Sequence, residues 1–128
     1  MTLDLTHKIL AAVGLAATTV NADAVGPAVD TTDFSSFAYV GTVANASVDA
    51  DLAVSIEHSD DGAAWEAAPA DDLHNETVEF GNSAPDGAWQ LGYRGVKRYV
   101  RLAVTVAAGA ADLSAVAVLG DPGLRPTY

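Results

Sequence analysis

Two stretches of strict period-two alternation constrain this chain more than any other feature. In residues 97–107, Val100, Leu102, Val104 and Val106 fall on one side, and Tyr99, Arg101, Ala103 and Thr105 on the other. In residues 52–59, Leu52, Val54, Ile56 and His58 alternate with Ala53, Ser55, Glu57 and Ser59. A helix would spread those apolar positions around its axis, whereas a strand gathers them on one face. Val54, Ile56, Val100, Leu102 and Val104 are therefore the expected core of an all-β protein.

The rest of the chain reads the same way. Half of the residues are hydrophobic, but they are mostly Ala and Val, which suit a pleated sheet better than leucine-faced helices. Residues 34–44 read as a strand with Phe37, Tyr39 and Val43 on one face and Ala38, Val40 and Thr42 on the other. Both faces are apolar, so this strand is expected to be covered on two sides. Ser59-Asp60-Asp61-Gly62 reads as a tight turn in which Asp side chains bond backbone N–H groups and Gly62 takes the left-handed position. Further strands are expected at 64–67, 77–80, 88–93 and 113–119. Residues 8–15 fit a short helix or the first strand, and strand is preferred. Seven to eight short strands joined by turn-rich loops predict a β-sandwich, jelly-roll or immunoglobulin-like. At 128 residues a single domain, 1–128, is expected. It has an extended N-terminal segment (about 1–8) and a proline-containing C-terminal tail (about 120–128).

Charge is unevenly distributed over the net −11. Residues 1–93 hold fifteen acids and one base, Lys8, for −14. Residues 94–128 hold five bases (Arg94, Lys97, Arg98, Arg101 and Arg125) and two acids, for +3. An acidic body repels nucleic acid, so no nucleic-acid partner is expected. The basic residues could form a local anion site; pairing with carboxylates of the same or a neighbouring chain is the preferred reading. Residues 1–24 imitate a secretory signal, but Asp4 offsets Lys8, and Gly14, Thr18 and Thr19 dilute the apolar run, so a retained segment is expected. The run is also shorter than the ~20 residues of a membrane helix, so no membrane span is expected.

Signals for chemistry are weak. The sequence has no Cys, which removes disulfides, zinc–thiolate sites and thiol nucleophiles together. Asp60 and Asp61 with Glu66, or with Asp71 and Asp72, are oxygen-rich enough for Ca²⁺, but their spacing is not that of an EF-hand and a solvated turn is expected. His7, His58 and His74 are too scattered for a metal site, and His58 in register with Leu52, Val54 and Ile56 reads as a satisfied, partly buried side chain. The sequence holds no Gly-x-Ser-x-Gly elbow, P-loop, dinucleotide fingerprint or His-Glu-x-x-His motif. No enzymatic activity, cofactor or metal is expected. Asn45-Ala46-Ser47 and Asn75-Glu76-Thr77 are formal glycosylation sequons, relevant only to a eukaryotic secreted protein. Trp65 and Trp89 could line a carbohydrate platform, but packing between the sheets is the expected role for both.

Four segments carry a resemblance. They are residues 29–42 (VDTTDFSSFAYVGT), 55–65 (SIEHSDDGAAW), 91–102 (LGYRGVKRYVRL) and 117–122 (AVLGDP). In this order they resemble small structural proteins encoded in the head-gene clusters of tailed bacteriophages and prophages. The resemblance implies a capsid decoration, or cement, protein that binds the major capsid protein on the outer capsid surface of the virion. Arg94, Lys97, Arg98, Arg101, Arg125 and Tyr128 are the expected interface residues. Open sheet edges and the apolar strand 34–44 lead to a homo-oligomer, with a trimer preferred. A weaker likeness joins the Asp-Gly-x-x-Trp turn at 61–65 and the Arg-Tyr-Val-Arg-Leu strand at 98–102 to discoidin-like, galactose-binding jelly rolls, from which the missing cysteines and short length depart. It suggests the alternative of a virion-surface module that holds host glycan through Trp65, Trp89 or Tyr93. A head–tail completion protein is the other alternative.

Overall fold

A computed structural model describes residues 9–74 and 78–120. The strands in chain order are β1 (Ile9–Val20), β2 (Ala24–Val25), β3 (Val29–Asp30), β4 (Ser36–Ala44), β5 (Asp51–Ser59), β6 (Glu66–Ala67), β7 (Leu73–His74), β8 (Val78–Phe80), β9 (Gly87–Tyr93), β10 (Tyr99–Ala108) and β11 (Ala111–Gly120). A 3-10 turn, Ala70–Asp72, precedes β7. Among the described residues no helix is long and apolar enough to cross a membrane.

The strands form two antiparallel sheets. The first runs β1-β11-β4-β9-β7; the second runs β2-β10-β5-β6, with β3 also on β10 and β8 also on β5. From β6 to β11 each successive strand lies in the opposite sheet, so the core is closed by connections that cross between layers. The result is the all-β sandwich expected. Val54, Ile56, Val100, Leu102 and Val104 all lie in the core at 2 % exposure or less. Opposite them the first sheet contributes Tyr39, Leu91, Leu113, Ala117 and Leu119. Phe80 meets Trp89 and His58 meets Tyr93 edge-on across the gap between sheets.

The strand count exceeds the seven or eight expected because β2, β3, β6 and β7 are only two residues each. Two residues carry no periodicity, so such pairings leave no trace in a sequence pattern. β1 is a strand and not a helix. Its alternation was obscured by register shifts between Val13 and Leu15 and between Leu15 and Thr18, where its pairing with β11 slips. A correction concerns β4. Its inward residues Phe37, Tyr39 and Val43 are buried, but Val40 on the other face is 43 % exposed, so among the described residues one layer covers this strand and not two. Residues 1–8, and the expected tail apart from Gly120, lie outside the described residues.

Two core positions make sharp tests. Gly41 of β4 faces inward opposite Trp89 of β9, and a Cβ there would overlap the Trp89 ring and the Ser114 carbonyl oxygen. The carbonyl belongs to the β4–β11 ladder and cannot swing aside, so Gly41→Ala is expected to cost about 1–3 kcal/mol in denaturant unfolding; a loss under about 0.5 kcal/mol, the range of a neutral surface change, would refute this packing. Tyr39 is fully buried, and its hydroxyl has no hydrogen-bond partner among the described residues; burial raises its pKa. Tyr39→Phe keeps the edge contact with Phe37 and removes an unpaired buried dipole. It should be neutral or stabilise by about 1 kcal/mol, and clear destabilisation would show that the hydroxyl is paired.

Candidate interaction surfaces

The basic residues gather at the start of β10, where cross-strand register sets their partners. Tyr99 pairs with Asp30 of β3, which brings the adjacent Arg98 to the Asp30 carboxylate. Its Nε and Nη2 donate to separate oxygens, at 3.1 and 2.9 Å, the two-pronged geometry that lysine cannot copy. The same guanidinium lies 5.0 Å from the centre of the Tyr99 ring. Arg101 stands opposite Glu57 of β5; its Nε and Nη2 both lie 2.7 Å from Oε1. Lys97 Nζ donates to Asp60 at 2.8 Å, with Glu66 3.7 Å away. Among the described residues Arg94 holds a backbone oxygen and no carboxylate: its Nε donates to the Asp71 carbonyl at 2.8 Å. Arg125 and Tyr128 lie outside the described residues. Three of the expected interface cations therefore already hold carboxylates of their own chain.

Beneath them is a network that pattern reading did not find. His58 is 4 % exposed. The Tyr93 hydroxyl oxygen accepts from the Lys97 backbone N–H at 3.3 Å and shares a hydrogen bond with His58 Nδ1 at 2.8 Å. The other ring nitrogen, Nε2, lies 3.3 Å from the Glu66 carboxylate. Both ring nitrogens are engaged, as expected of a satisfied core histidine, and the chain of bonds ties the two sheets together. Only the period-two placement of His58 hinted at it. Its partners come from β9, β6 and the loop before β10, and β9 lies in the other sheet.

The acidic turn is committed in the same way. Asp61 Oδ1 accepts from the Ala63 and Ala64 N–H groups and the Ser59 hydroxyl, and Gly62 adopts φ +77°. This is the capped turn read from the sequence. Among the described residues no three metal-ligating side chains converge.

The two tryptophans part company. Trp89 is 7 % exposed and belongs to the core, as does Tyr93 at 5 %. Trp65 is a correction to the expected packing: it precedes the short β6, with the Arg101 guanidinium 4.3 Å above its ring. It also lines a 250 Å³ groove with Asp60, Asp61, Ala64 and Glu66.

The outer face of the first sheet differs in kind. Val13 pairs with Val116 and Val116 with Val40, and all three are exposed. Beside this apolar row a 310 Å³ groove is lined by Thr18, Thr19, Thr42, Asp112 and Ser114 among others. The signal for this face was the second apolar set of strand 34–44.

No family model matches the chain, and no curated protein matches it. Among solved structures, the PBSX exported protein XepA is similar with a TM-score of 0.56 and 16 % identity, over 87 % of this chain. The chain spans only 37 % of that protein's length. A structure described as Bacillus endospore appendages, a family of disulfide-linked pili, is similar with a TM-score of 0.50 and 11 % identity, over 88 % of each chain. At such identities the likeness is one of fold.

The carboxylates give a pH test. Arg98, followed by the Thr32 hydroxyl and N–H, holds the Asp30 carboxyl well below the usual range. The Ala64 and Ala63 N–H groups and the Ser59 hydroxyl lower Asp61 to about 2. Both folded-state values lie below the ordinary 3.8. Their stabilisation is thus fully present above that value and is lost as pH falls through the folded ones. Thermal melts should show wild type more stable than Asp61→Asn at pH 6, with the gap narrowing from about pH 4 and gone just below pH 2. A gap independent of pH would mean that the carboxylate charge plays no part in the turn.

Proposed function

We propose that this protein is a structural component of a tailed-phage or prophage particle, acting through its surfaces and not as an enzyme. The observation that carries the reading is the fold shared with the PBSX exported protein XepA, a phage protein, over 87 % of the chain. The resemblance of segments 29–42, 55–65, 91–102 and 117–122 to head-cluster proteins sharpens it to a decoration protein on the outer capsid surface that binds the major capsid protein. The physical traits suit that role. Two layers of small, branched side chains make a rigid domain, and internal ion pairs hold Arg98, Arg101 and Lys97 in place. The pilus likeness points to assembly into a larger structure as well, but the disulfide linkage in that family's description is closed to a chain with no Cys.

The glycan-binding alternative keeps one of its three aromatics. Trp89 and Tyr93 are buried, and Trp65 beside its acidic groove is the side chain a sugar could reach.

Mass spectrometry of purified particles is the decisive experiment. A decoration protein should appear at a copy number commensurate with the major capsid protein. Absence from particles, with the protein found only in the culture medium, would overturn the reading.

A further inference from the structure

The four adjacent strands β1, β11, β4 and β9 comprise thirty-eight residues and hold one charged side chain, Asp112. That carboxylate sits near one end of the face, where Thr19 and Asn45 donate to it. Across the middle, Val13, Val116 and Val40 form one row, at 58, 45 and 43 % exposure, and Ala11, Val118 and Ala38 form the next. Thr42 and Ser114 continue the face with hydroxyls bonded to each other at 2.7 Å. The outer face of the other sheet is built oppositely, with Asp30–Arg98 and Glu57–Arg101 pairs across it. Soluble monomers rarely leave a broad apolar stretch of this kind uncovered.

We propose that this face is the contact between two copies of the chain, packed sheet to sheet about a two-fold axis. The inference goes beyond the phage reading and does not depend on it. Area supports it. Four strands about 4.8 Å apart and about 30 Å long give roughly 570 Å² per copy, or about 1,100 Å² in total, which meets the ~1,000 Å² expected of a specific interface. Charge selects the occupant. Copies of a −11 chain repel one another, and a face whose single carboxylate, Asp112, lies near one end and is bonded to Thr19 and Asn45 is where they meet with the fewest like charges in contact. Apart from that one carboxylate, the face offers nothing for a charged partner to pair with. The side chains are short, so two such faces can stack as flat sheets do, about 10 Å apart. A two-fold contact of this kind replaces the trimer expected from the sequence.

Analytical ultracentrifugation of the full chain at low and high salt tests this. The expected result is a monomer–dimer equilibrium that salt strengthens, because screening weakens the repulsion between acidic bodies. Val116→Lys lowers the net negative charge and so reduces that repulsion, yet it should weaken dimerisation at least tenfold by burying a charge in the contact. Val25→Lys, on the other sheet and similarly exposed in the wild type, makes the same change in net charge and should leave dimerisation unweakened or slightly tighter. Circular dichroism and melting temperature establish that both variants are folded. A wild-type chain that stays monomeric overturns the proposal, whether the face is then covered by the chain's own ends or by an unlike protein. A trimer, a dimer indifferent to Val116→Lys, or one weakened equally by Val25→Lys overturns it too.

Discussion

In the register that pairs Ile56 with Leu102 and Val54 with Val104, the β5–β10 ladder builds both the core and the charged surface. Antiparallel partners face the same side of a sheet, so this one alignment stacks four branched side chains inward. It sets Glu57 against Arg101 outward. A slip of one residue would turn valines to solvent and bury the ion pair. The same ladder places His58 opposite Val100, at the depth where Tyr93 of the other sheet can reach it. The Lys97 and Arg98 contacts follow, because both residues enter β10 directly before the first ladder pair.

The two sheets divide the work. The second carries ion pairs, the Arg101–Trp65 stack and the acidic turn on its outer side. These are half-exposed contacts that hold side chains in orientation more than they stabilise the fold. The first sheet presents Ala, Val, Ser and Thr. That composition permits close approach within the sandwich, where the Trp89 ring lies over Gly41, and leaves the outside flat. An acidic protein with one face that carries a single carboxylate, Asp112, near its end is physically asymmetric, and any assembly it enters must respect that asymmetry.

Much of this was legible from spacing. The alternation in 52–58 and 100–106 located the centre of the core, Ser59 to Gly62 declared its turn, and the doubly apolar strand 34–44 signalled a face in need of cover. Other features were not legible, for identifiable reasons. Bulges at Val13–Leu15 and Leu15–Thr18 broke the period of β1. Trp65 reads as core because a large aromatic in an Ala/Val chain is expected inside; its place against the Arg101 guanidinium joins residues 36 positions apart, which spacing does not show. Arg94 was expected to hold a carboxylate, but the 3-10 turn at Ala70–Asp72 puts a backbone carbonyl within its reach.

The sequence by itself determined that the chain forms strands, which residues of the longer strands face inward, and that the acidic and basic residues are separated along it. Those properties depend on neighbours two or three positions away. Tertiary structure alone decided which strands share a sheet, which oxygen each described cation of 94–101 holds, that His58, Tyr93 and Glu66 meet, and that the second sheet packs on only one face of β4. Each of these joins residues far apart in the chain, and period-two alternation is the same whichever strand becomes the partner.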